Sequence, residues 1–389
     1  ISRSRSSREC SDATILKSEV NAENGNILKP GVKIKPETTI EDAEKLVQRL
    51  YGITTREVQE LNSYDDRNYI IKEDRNIKNP LITNCWPHGY ILKLLNALDS
   101  KKLPFIDAQT QLMLFIRNQN ITCPNPVKNV YGNYYSLEII NGSKHVVRLF
   151  EFIPDQIFCN VPKNNFLFYQ AGEFVAKLDV ALKKFQHDAY NSHQTLWMLS
   201  SVPKLKEFLY VLHDIERKEM VEQIIEAFES RVLPNVETLE KSIIHGDFNE
   251  QNILVAELKD GKEFRVSGVL DFGDTIYSPL VFELAIAITY MMLQSKDLAT
   301  GGLVIAGYSS VRHIPENEMK ILKECVAGRL CQSLVLGAYS HSLDPENEYL
   351  LVTQKNGWEL LELLWKDNYS KIDDIWAEVA DNYLKQSVK

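Results

Sequence analysis

The spacing of apolar residues changes once along this chain of 389 residues, close to residue 153. Before that point, short apolar runs bounded by turn residues predict strands at 58–61, 68–72, 89–95, 134–140 and 145–152. Beyond it, apolar residues recur at helical spacing at 167–185, 204–233, 278–294, 316–340 and 357–384. This order of elements predicts an α+β fold in which a small sheet lobe precedes a larger, mainly helical lobe.

Two helices are predicted inside the strand-rich part of the chain. The first opens at Thr39, where a hydroxyl precedes the acidic residues Glu41 and Asp42, and the second follows Pro104. Residues 73–88 contain two prolines and are predicted to form a hairpin loop. The chain is thereby divided into a flexible polar arm at 1–36, an N-terminal lobe at 37–153 and a C-terminal lobe at 154–389.

Charge and composition limit the partners expected for this chain. Its 44 basic and 53 acidic residues give a net charge of −9, which opposes attraction to nucleic acid and to anionic membranes. The longest apolar stretch, 278–293, contains Glu283 and is predicted to be a buried helix. The six cysteines form no C-x-x-C pair, which is typical of reduced thiols in a cytoplasmic protein. We therefore expect neither a nucleic-acid nor a membrane partner.

One pair of motifs carries the chemistry of the chain. The motif HGD at 245–247 is followed by Asn252, five residues after its aspartate, and then by LDFGD at 270–274. Phosphoryl transfer requires in-line placement of the reactants, a metal ion and a carboxylate that orients the attacking hydroxyl. Asp247 can accept the hydrogen bond of an alcohol, and the oxygens of Asn252 and Asp271 suit Mg²⁺. The spacing therefore predicts a phosphotransfer site.

A hairpin is predicted to bring the two motifs together. Strands at 252–255 and 266–271 flank a turn signal at Asp260 and Gly261. Because the positions of paired residues in a hairpin add to a constant, a turn centred there places Asn252 and Asp271 nearly opposite each other. If they pair directly, their Cβ atoms lie about 5 Å apart. One cation could then bind to both side chains.

The HGD motif, Asn252 and the LDFGD motif together resemble the aminoglycoside phosphotransferase/choline kinase-like family of small-molecule kinases. The chain is similar in particular to those members that act on hydroxylysine, over the stretches 63–69, 267–274, 281–285 and 331–334. The resemblance extends over about residues 38–380. It implies a protein-kinase-like two-lobed fold, with one helix in the small N-terminal sheet lobe and a larger, mainly helical C-terminal lobe.

The resemblance implies a role for each residue that matches a motif of the C-terminal lobe. Asp247 matches the catalytic aspartate, and Asn252 and Asp271 match the ligands of Mg²⁺. The C-terminal lobe is then expected to bind the substrate and to carry out catalysis.

On the nucleotide side, Lys93 matches the lysine that holds the donor phosphates, and the hinge from Glu151 to Ile153 would meet the base. The N-terminal lobe is accordingly expected to bind the nucleotide. The family's glycine-rich loop over the phosphates has no counterpart here, because the corresponding stretch contains no glycine. Backbone amides, or the side chains of Ser63 and Asn68, would have to serve instead.

Four further residues have roles that the sequence leaves open. The partner of Lys93 is expected on the following helix, where Asp107 and Gln109 are the nearest candidates. Asp274 could support the metal from outside its ligand shell or could contact a substrate amine. Arg329 could bind a substrate carboxylate through two parallel hydrogen bonds, or it could be a partly buried structural arginine.

Two residues near the motifs are expected to be structural. His245 is expected to hold its loop by hydrogen bonds rather than to shuttle a proton. Glu283, which follows the LDFGD motif on a helix, is expected to brace the same loop. Gly246, directly after His245, allows the loop to take a tight backbone turn.

The resemblance implies a kinase that transfers the γ-phosphate of GTP to the 5-hydroxyl of 5-hydroxy-L-lysine, with Mg²⁺ as cofactor and ATP as an alternative donor. The acidic balance of the chain agrees with a substrate that carries two ammonium groups. Two other functions stay open. One is a related kinase for choline, ethanolamine, homoserine or an aminoglycoside, and the other is a non-catalytic pseudokinase that only binds. The sequence does not predict an oligomeric state.

Overall fold

The computed structural model describes residues 32–258, 263–366 and 371–387. Its α-helices are α1 (Ile40–Tyr51), α2 (Leu103–Arg117), α3 (Asn165–Leu182), α4 (Ile215–Ala227), α5 (Leu280–Ser295), α6 (Thr300–Ser309), α7 (Glu316–Leu343), α8 (Gln354–Lys366) and α9 (Ile372–Ser387). Its strands are β1 (Ile53–Leu61), β2 (Arg67–Ile77), β3 (Tyr90–Leu94), β4 (Asn125–Val127), β5 (Tyr135–Ile140), β6 (Ser143–Glu151), β7 (Gln156–Ile157), β8 (Lys241–Ile244), β9 (Ile253–Glu257), β10 (Phe264–Val269) and β11 (Ile276–Pro279). Residues 1–31 of the predicted arm and the predicted turn at Asp260 and Gly261 lie outside the described residues.

The N-terminal lobe is an antiparallel sheet of six strands covered by α1. The strands follow the order β1, β2, β3, β6, and both β4 and β5 pair with the far edge of β6. Helix α1 begins where Thr39 and Asp42 each accept a hydrogen bond from the other's backbone amide. Its apolar face, including Val47 and Leu50, is buried against the sheet. The predicted first helix is confirmed.

The second helix, α2, packs against the other lobe. Phe105, Leu112 and Ile116 on α2 belong to the large apolar core that is formed mainly by α3, α5, α6 and α7. Residues 37–153 thus contain both α-helices predicted there, and α1 is the one that covers the sheet. The second helix joins the lobes because its apolar face is buried against the C-terminal core.

Several features of the fold differ from the predicted elements. Strand β2 continues to Ile77, into the stretch predicted as a loop, because bulges keep it paired with β1 as far as Ile53. The segment predicted as one helix at 204–233 is broken, and α4 starts only where Asp214 accepts a hydrogen bond from the amide of Arg217. Strand β4 is three residues long and was not predicted.

Helix α6 was also not predicted, since its glycines weaken the helical pattern. The packing shows why glycine is needed. A Cβ atom on Gly307 would lie 1.9 Å from the carbonyl oxygen of Tyr169, so α3 and α6 can cross in contact only without a side chain there. No helix within the described ranges combines the length and the apolar character needed to cross a bilayer.

Two short sheets in the C-terminal lobe position the predicted motifs. Strand β9 pairs with both β7 and β10, and β8 pairs with β11. The HGD motif therefore starts the loop from β8 to β9, and the LDFGD motif lies in the connection from β10 to β11. Both connections leave the same part of the lobe, next to the helix α5.

Candidate active site

The hairpin of β9 and β10 has a register one residue away from the predicted one. Ile253 pairs with Val269, and the carbonyl oxygen of Asn252 accepts a hydrogen bond of 2.7 Å from the amide of Leu270. Leu270, rather than Asp271, is therefore opposite Asn252. A bulge between Val266 and Gly268 brings the pairing one position closer to the predicted register, but not into it. Asp271 follows the strand with φ of 52°, so the alternation of side chains along β10 does not determine its direction.

The carboxylate of Asp247 is held by three side-chain hydrogen bonds. Its Oδ1 accepts from Nη2 of Arg329 at 2.7 Å. Its Oδ2 accepts from Nδ2 of Asn249 at 2.8 Å and from Nδ2 of Asn252 at 2.9 Å. Burial raises the pKa of Asp247 to about 6, although the charge of Arg329 acts in the opposite direction. The three hydrogen bonds fix the direction of the carboxylate. The side chain is still 22% exposed, so a substrate in the cleft between the N-terminal and C-terminal lobes can reach it.

The backbone below Asp247 is fixed by its neighbours. Gly246 has φ of 81°, and a Cβ atom there would lie 2.3 Å from the carbonyl oxygen of Asp274. Its amide donates to Oε2 of Glu283 at 2.7 Å. Nδ1 of His245 accepts from the amide of Asp247 at 3.3 Å, so Nε2 is assigned as the donor to the carbonyl of Leu270 at 2.8 Å. His245 and Glu283 thus make the bracing contacts that the sequence predicted for them.

The oxygens around Asn252 and Asp271 have the chemistry of a Mg²⁺ site. Nδ2 of Asn252 donates to Asp247, which leaves the amide Oδ1 as an oxygen donor for a metal. The side chain of Asp271 is 42% exposed at the cleft. No group of three His, Cys, Asp or Glu side chains in the described ranges has metal-binding geometry. Asn252 and Asp271 would hold such an ion through these oxygens, with donor phosphates and water as its further ligands.

Lys93 projects from β3 toward the same place. Its Nζ lies 2.8 Å from each carboxylate oxygen of Asp271 and 3.2 Å from Oδ2 of Asp66. Burial lowers the pKa of Lys93, but these two carboxylates outweigh it and the net shift is upward. The pKa of Asp271 is lowered, because the Lys93 ammonium outweighs the opposing effect of burial.

The predicted partners of Lys93 on α2 have other contacts. Asp107 accepts a hydrogen bond of 3.3 Å from the hydroxyl of Tyr135. Gln109 accepts from Nη1 of the buried Arg148 at 2.9 Å and donates to the carbonyl of Gly273 at 3.1 Å. The expectation that a residue of α2 pairs with Lys93 is wrong. Gln109 instead ties α2 to the LDFGD motif.

The loop before β2 uses its polar groups in different ways. The hydroxyl of Ser63 donates to the carbonyl of Asp66 at 2.6 Å, so it is engaged within the loop. Asn68 pairs with Lys93 across the sheet, and its Oδ1 is buried without a hydrogen-bond partner. Of the two residues expected to meet donor phosphates, Asn68 could do so only through its Nδ2, since its unpartnered Oδ1 is an acceptor like the phosphate oxygens.

The predicted hinge follows β6 directly. The amide of Phe152 donates to the carbonyl of Gly89 at 3.0 Å, and its carbonyl accepts from Nε1 of Trp86 at 2.7 Å. The carboxylate of Glu151 accepts from Asn125 at 2.7 Å. Glu151 is paired with Tyr90 and Asn125 in the sheet and Phe152 is engaged, so the hinge backbone that can read a base lies in Ile153.

The two predicted substrate residues differ in their surroundings. Arg329 is 1% exposed, and besides Asp247 it donates from Nη1 to the carbonyl of Trp197 at 3.0 Å. Its guanidinium also lies 5.4 Å from the ring centre of Tyr290. Asp274 is half-buried, and its pKa is raised by burial and by the charge of Asp247. These contacts favour the structural alternative for Arg329. The effect of Asp247 on the pKa of Asp274 indicates that the two carboxyl groups are near each other.

The geometry is that of a phosphotransfer site, and comparison with known proteins agrees. Residues 57–313 match the profile of the phosphotransferase enzyme family. The chain belongs to that family. The resemblance predicted from the motifs is confirmed, as is the assignment of the chain as a phosphotransferase enzyme.

Individual members of the phosphotransferase family resemble the chain over most of its length. A hydroxylysine kinase of Bos taurus is 35% identical over 361 residues, which cover 90% of this chain and 95% of that protein. A hydroxylysine kinase of Xenopus laevis is 35% identical over 367 residues, 90% of this chain and 96% of the relative. A homoserine kinase of Methylobacillus glycogenes is 28% identical over 233 residues, 59% of this chain and 66% of that enzyme.

Solved phosphotransferases share the fold. An amicoumacin kinase in complex with AMP-PNP, Ca²⁺ and Ami has a TM-score of 0.60 and 15% identity, and the match covers 92% of this chain and 96% of that one. A microcompartment-associated aminopropanol kinase has a TM-score of 0.56 at 15% identity, over 90% of this chain and 98% of its own. The predicted two-lobed kinase-like fold is confirmed.

Three residues of this phosphotransferase site were not predicted. Asn249 bonds to Asp247 and caps the next turn, and its position two residues after an aspartate in a loop is a sequence signal for that role. Asp66 and Trp197 carry no such signal. They reach the site from distant parts of the chain, through the sheet and through a loop before α4.

Proposed function

We propose that the protein transfers the γ-phosphate of GTP to the 5-hydroxyl of 5-hydroxy-L-lysine, with ATP as the alternative donor. The observation that carries the proposal is the carboxylate of Asp247, which three side-chain donors hold in place and which is still 22% exposed. A carboxylate in this state accepts the hydrogen bond of an attacking alcohol and aligns its oxygen with the phosphorus atom. The similarity to hydroxylysine kinases over 90% of the chain supports this acceptor.

The negative charge of the cleft supports an acceptor with ammonium groups. Burial and nearby carboxylates raise the pKa of Asp65 to about 7, and the pKa of Asp274 is also raised. Such shifts mean that neighbouring positive charge does not compensate these carboxylates. An ammonium group next to either one relieves that repulsion. We assign Asp274 to the amine nearer the reacting hydroxyl, since, after burial, the charge of Asp247 is the next cause that raises the pKa of Asp274.

The donor side is proposed to combine Lys93 with a magnesium ion. Asn252 and Asp271 would hold Mg²⁺, which neutralises charge on the donor phosphates. Lys93 would bind the same phosphates, Nδ2 of Asn68 would donate to them from β2, and the backbone of Ile153, beyond the sheet pairing of Glu151, would meet the base. Asp247 needs no proton transfer before the reaction, because above a pKa of about 6 it is already ionised.

The proposal is tested by a phosphotransfer screen of the purified protein. GTP and ATP are each combined with 5-hydroxy-L-lysine, homoserine, ethanolamine, choline and an aminoglycoside, and product is measured by mass spectrometry. We expect the largest kcat/KM for 5-hydroxy-L-lysine with GTP, and no transfer to L-lysine, which lacks the hydroxyl. Removing Mg²⁺ with a chelator should abolish transfer, and adding Mg²⁺ back should restore it.

Each other outcome of the screen selects a different function. A larger kcat/KM for another alcohol would make the protein a kinase for that compound. Nucleotide binding without transfer to any acceptor would make it a pseudokinase. A preference for ATP would correct the donor and leave the acceptor unchanged.

A further inference from the structure

The loop between β1 and β2 reaches across the cleft to the C-terminal lobe. The hydroxyl of Tyr64 donates to the carbonyl of Leu336 on α7 at 2.8 Å. The carbonyl of Ser63 accepts from Nδ2 of Asn347, just after α7, at 3.4 Å and from Lys35 at 3.1 Å. The loop that takes the place of a glycine-rich phosphate loop is thus attached to the acceptor side of the molecule.

From Tyr64, contacts continue to the catalytic aspartate. The ring of Tyr64 packs edge-on against Trp197, with ring centres 5.5 Å apart and an interplanar angle of 85°. The Trp197 ring centre lies 5.2 Å from the guanidinium of Arg329, and the Trp197 carbonyl accepts from Nη1 of Arg329 at 3.0 Å. Nη2 of Arg329 then donates to Asp247 at 2.7 Å.

The same loop also holds the lysine of the donor side. Asp66 lies two residues after Tyr64, and its Oδ2 is 3.2 Å from Nζ of Lys93. Its Oδ1 accepts from the amide of Asn96 at 2.8 Å, which fixes the carboxylate. The hydroxyl of Ser63 closes the loop onto the carbonyl of Asp66. One short loop therefore contacts Lys93, which is expected to bind the donor phosphates, and also Trp197, whose contact with Arg329 leads to Asp247.

We propose that Tyr64 is a positioning residue, through which the closed β1–β2 loop sets the Trp197–Arg329–Asp247 contacts. This inference rests on the proposed phosphotransfer function. When the loop lies against Trp197, the side chain of Arg329 is confined and Asp247 points into the cleft. When the loop is away, Trp197 and Arg329 lose that support. The aspartate is then fully ordered only while the donor site is covered, which limits transfer of the phosphate to water.

The experiment compares Tyr64→Ala and Tyr64→Phe with Tyr131→Ala. Tyr131 lies in the same lobe and is 68% exposed, so it serves as the matched control. Two rates are measured for each protein, transfer to the acceptor and hydrolysis of the donor by water. We expect Tyr64→Ala to lower kcat by about ten- to a hundredfold through misplacement of Asp247. Donor hydrolysis per transfer should rise, while the donor KM changes less than kcat.

Tyr64→Phe separates the two contacts of the tyrosine. It keeps the ring against Trp197 and loses only the hydrogen bond to Leu336, so we expect it to restore most of the kcat lost in Tyr64→Ala. Tyr131→Ala should match the unmodified protein. If Tyr64→Ala changes the donor KM alone, with kcat and the hydrolysis ratio unchanged, the loop is only a cover and the inference is wrong.

A second measurement does not depend on turnover. Hydrogen exchange of the catalytic loop, residues 245–252, is followed by mass spectrometry in the three variants. We expect faster exchange there in Tyr64→Ala, and unchanged exchange in Tyr131→Ala. Unchanged exchange in Tyr64→Ala contradicts the inference even if the enzyme is active. If the unmodified protein transfers no phosphate to any acceptor, the proposed function fails, and the exchange result alone decides whether the loop and Asp247 are coupled.

Discussion

On the C-terminal side of the cleft, the Asp247 carboxylate accepts hydrogen bonds from Arg329, Asn249 and Asn252, whereas on the N-terminal side the Lys93 ammonium lies against the carboxylates of Asp66 and Asp271. The first group is fixed by directional bonds between amide, guanidinium and carboxylate. The second is held by ion pairs of one mobile ammonium group, and Asp271 is a group that a donor and its metal would also bind.

The difference separates the two tasks of a phosphotransferase. Orientation of the acceptor hydroxyl requires one geometry, so Asp247 is braced from its own loop and from α7. The donor must enter and leave, so Lys93 is bound through contacts that phosphate oxygens can replace. We therefore expect substitutions on the acceptor side to lower kcat and substitutions on the donor side to raise the donor KM.

The largest effect is expected for Asp247→Asn. The amide keeps the shape of the side chain and cannot accept the acceptor proton as a carboxylate does, so kcat should fall about 10²- to 10⁴-fold. Steady-state rates are measured well below the melting temperature of the variant, because Arg329 loses a charged partner. Asp381→Asn, at an exposed position of α9, is the control and should keep full activity. A kcat within threefold of the unmodified value would remove Asp247 from the mechanism.

A smaller effect, in the donor KM, is expected for Asp66→Asn. Lys93 keeps Asp271 as a partner and loses one of two carboxylates, so the donor KM should rise about ten- to a hundredfold with a smaller change in kcat. Glu57→Gln removes a carboxylate from an exposed pair with Lys72 in the same sheet and should leave both constants unchanged. A fall in kcat at constant KM would contradict the division between the two sides.

The two sides were also predicted from the sequence with unequal success. Asp247, Asn249 and Asn252 lie within six positions, so their geometry follows from one loop and one turn. Arg329 reaches Asp247 from 82 residues away, and Lys93 reaches Asp271 from 178 residues away. A local pattern does not fix such pairs, which explains why α2 was expected to supply the partner of Lys93.

The fold shows the same limit. Helices and strands with regular apolar spacing, such as α1 and β6, were predicted, since burial of one face determines them. Helix α6 was missed because its glycines serve a contact with α3 that is visible only in three dimensions. The register of β9 and β10 was wrong by one residue, because a turn signal locates the centre of a hairpin only to about one residue and the hairpin rule does not include the bulge next to Gly268.

The smallest effect concerns His193, a residue of the C-terminal lobe that packs against α2. It is 9% exposed and stacks on Phe105 of α2 with ring centres 3.5 Å apart. Burial lowers the pKa of His193 to about 3, whereas in the unfolded chain it is near the ordinary value of 6.5. Between these values the unfolded state binds the proton more tightly. The stability conferred by neutral His193 is therefore complete above pH 6.5 and is lost as the pH falls toward 3.

Replacement of His193 by glutamine removes this dependence. Urea unfolding is measured for both proteins from pH 7.5 to 4.5, and the difference in unfolding free energy, unmodified minus His193→Gln, is plotted against pH. Below pH 6.5 we expect that difference to decrease by up to about 1.4 kcal/mol per pH unit as the pH falls. The control is His313→Gln, because His313 is exposed and is not part of the contact with α2. A flat difference plot would mean that His193 accepts its proton in the folded protein, and that its contact with Phe105 opens to water before the protein unfolds.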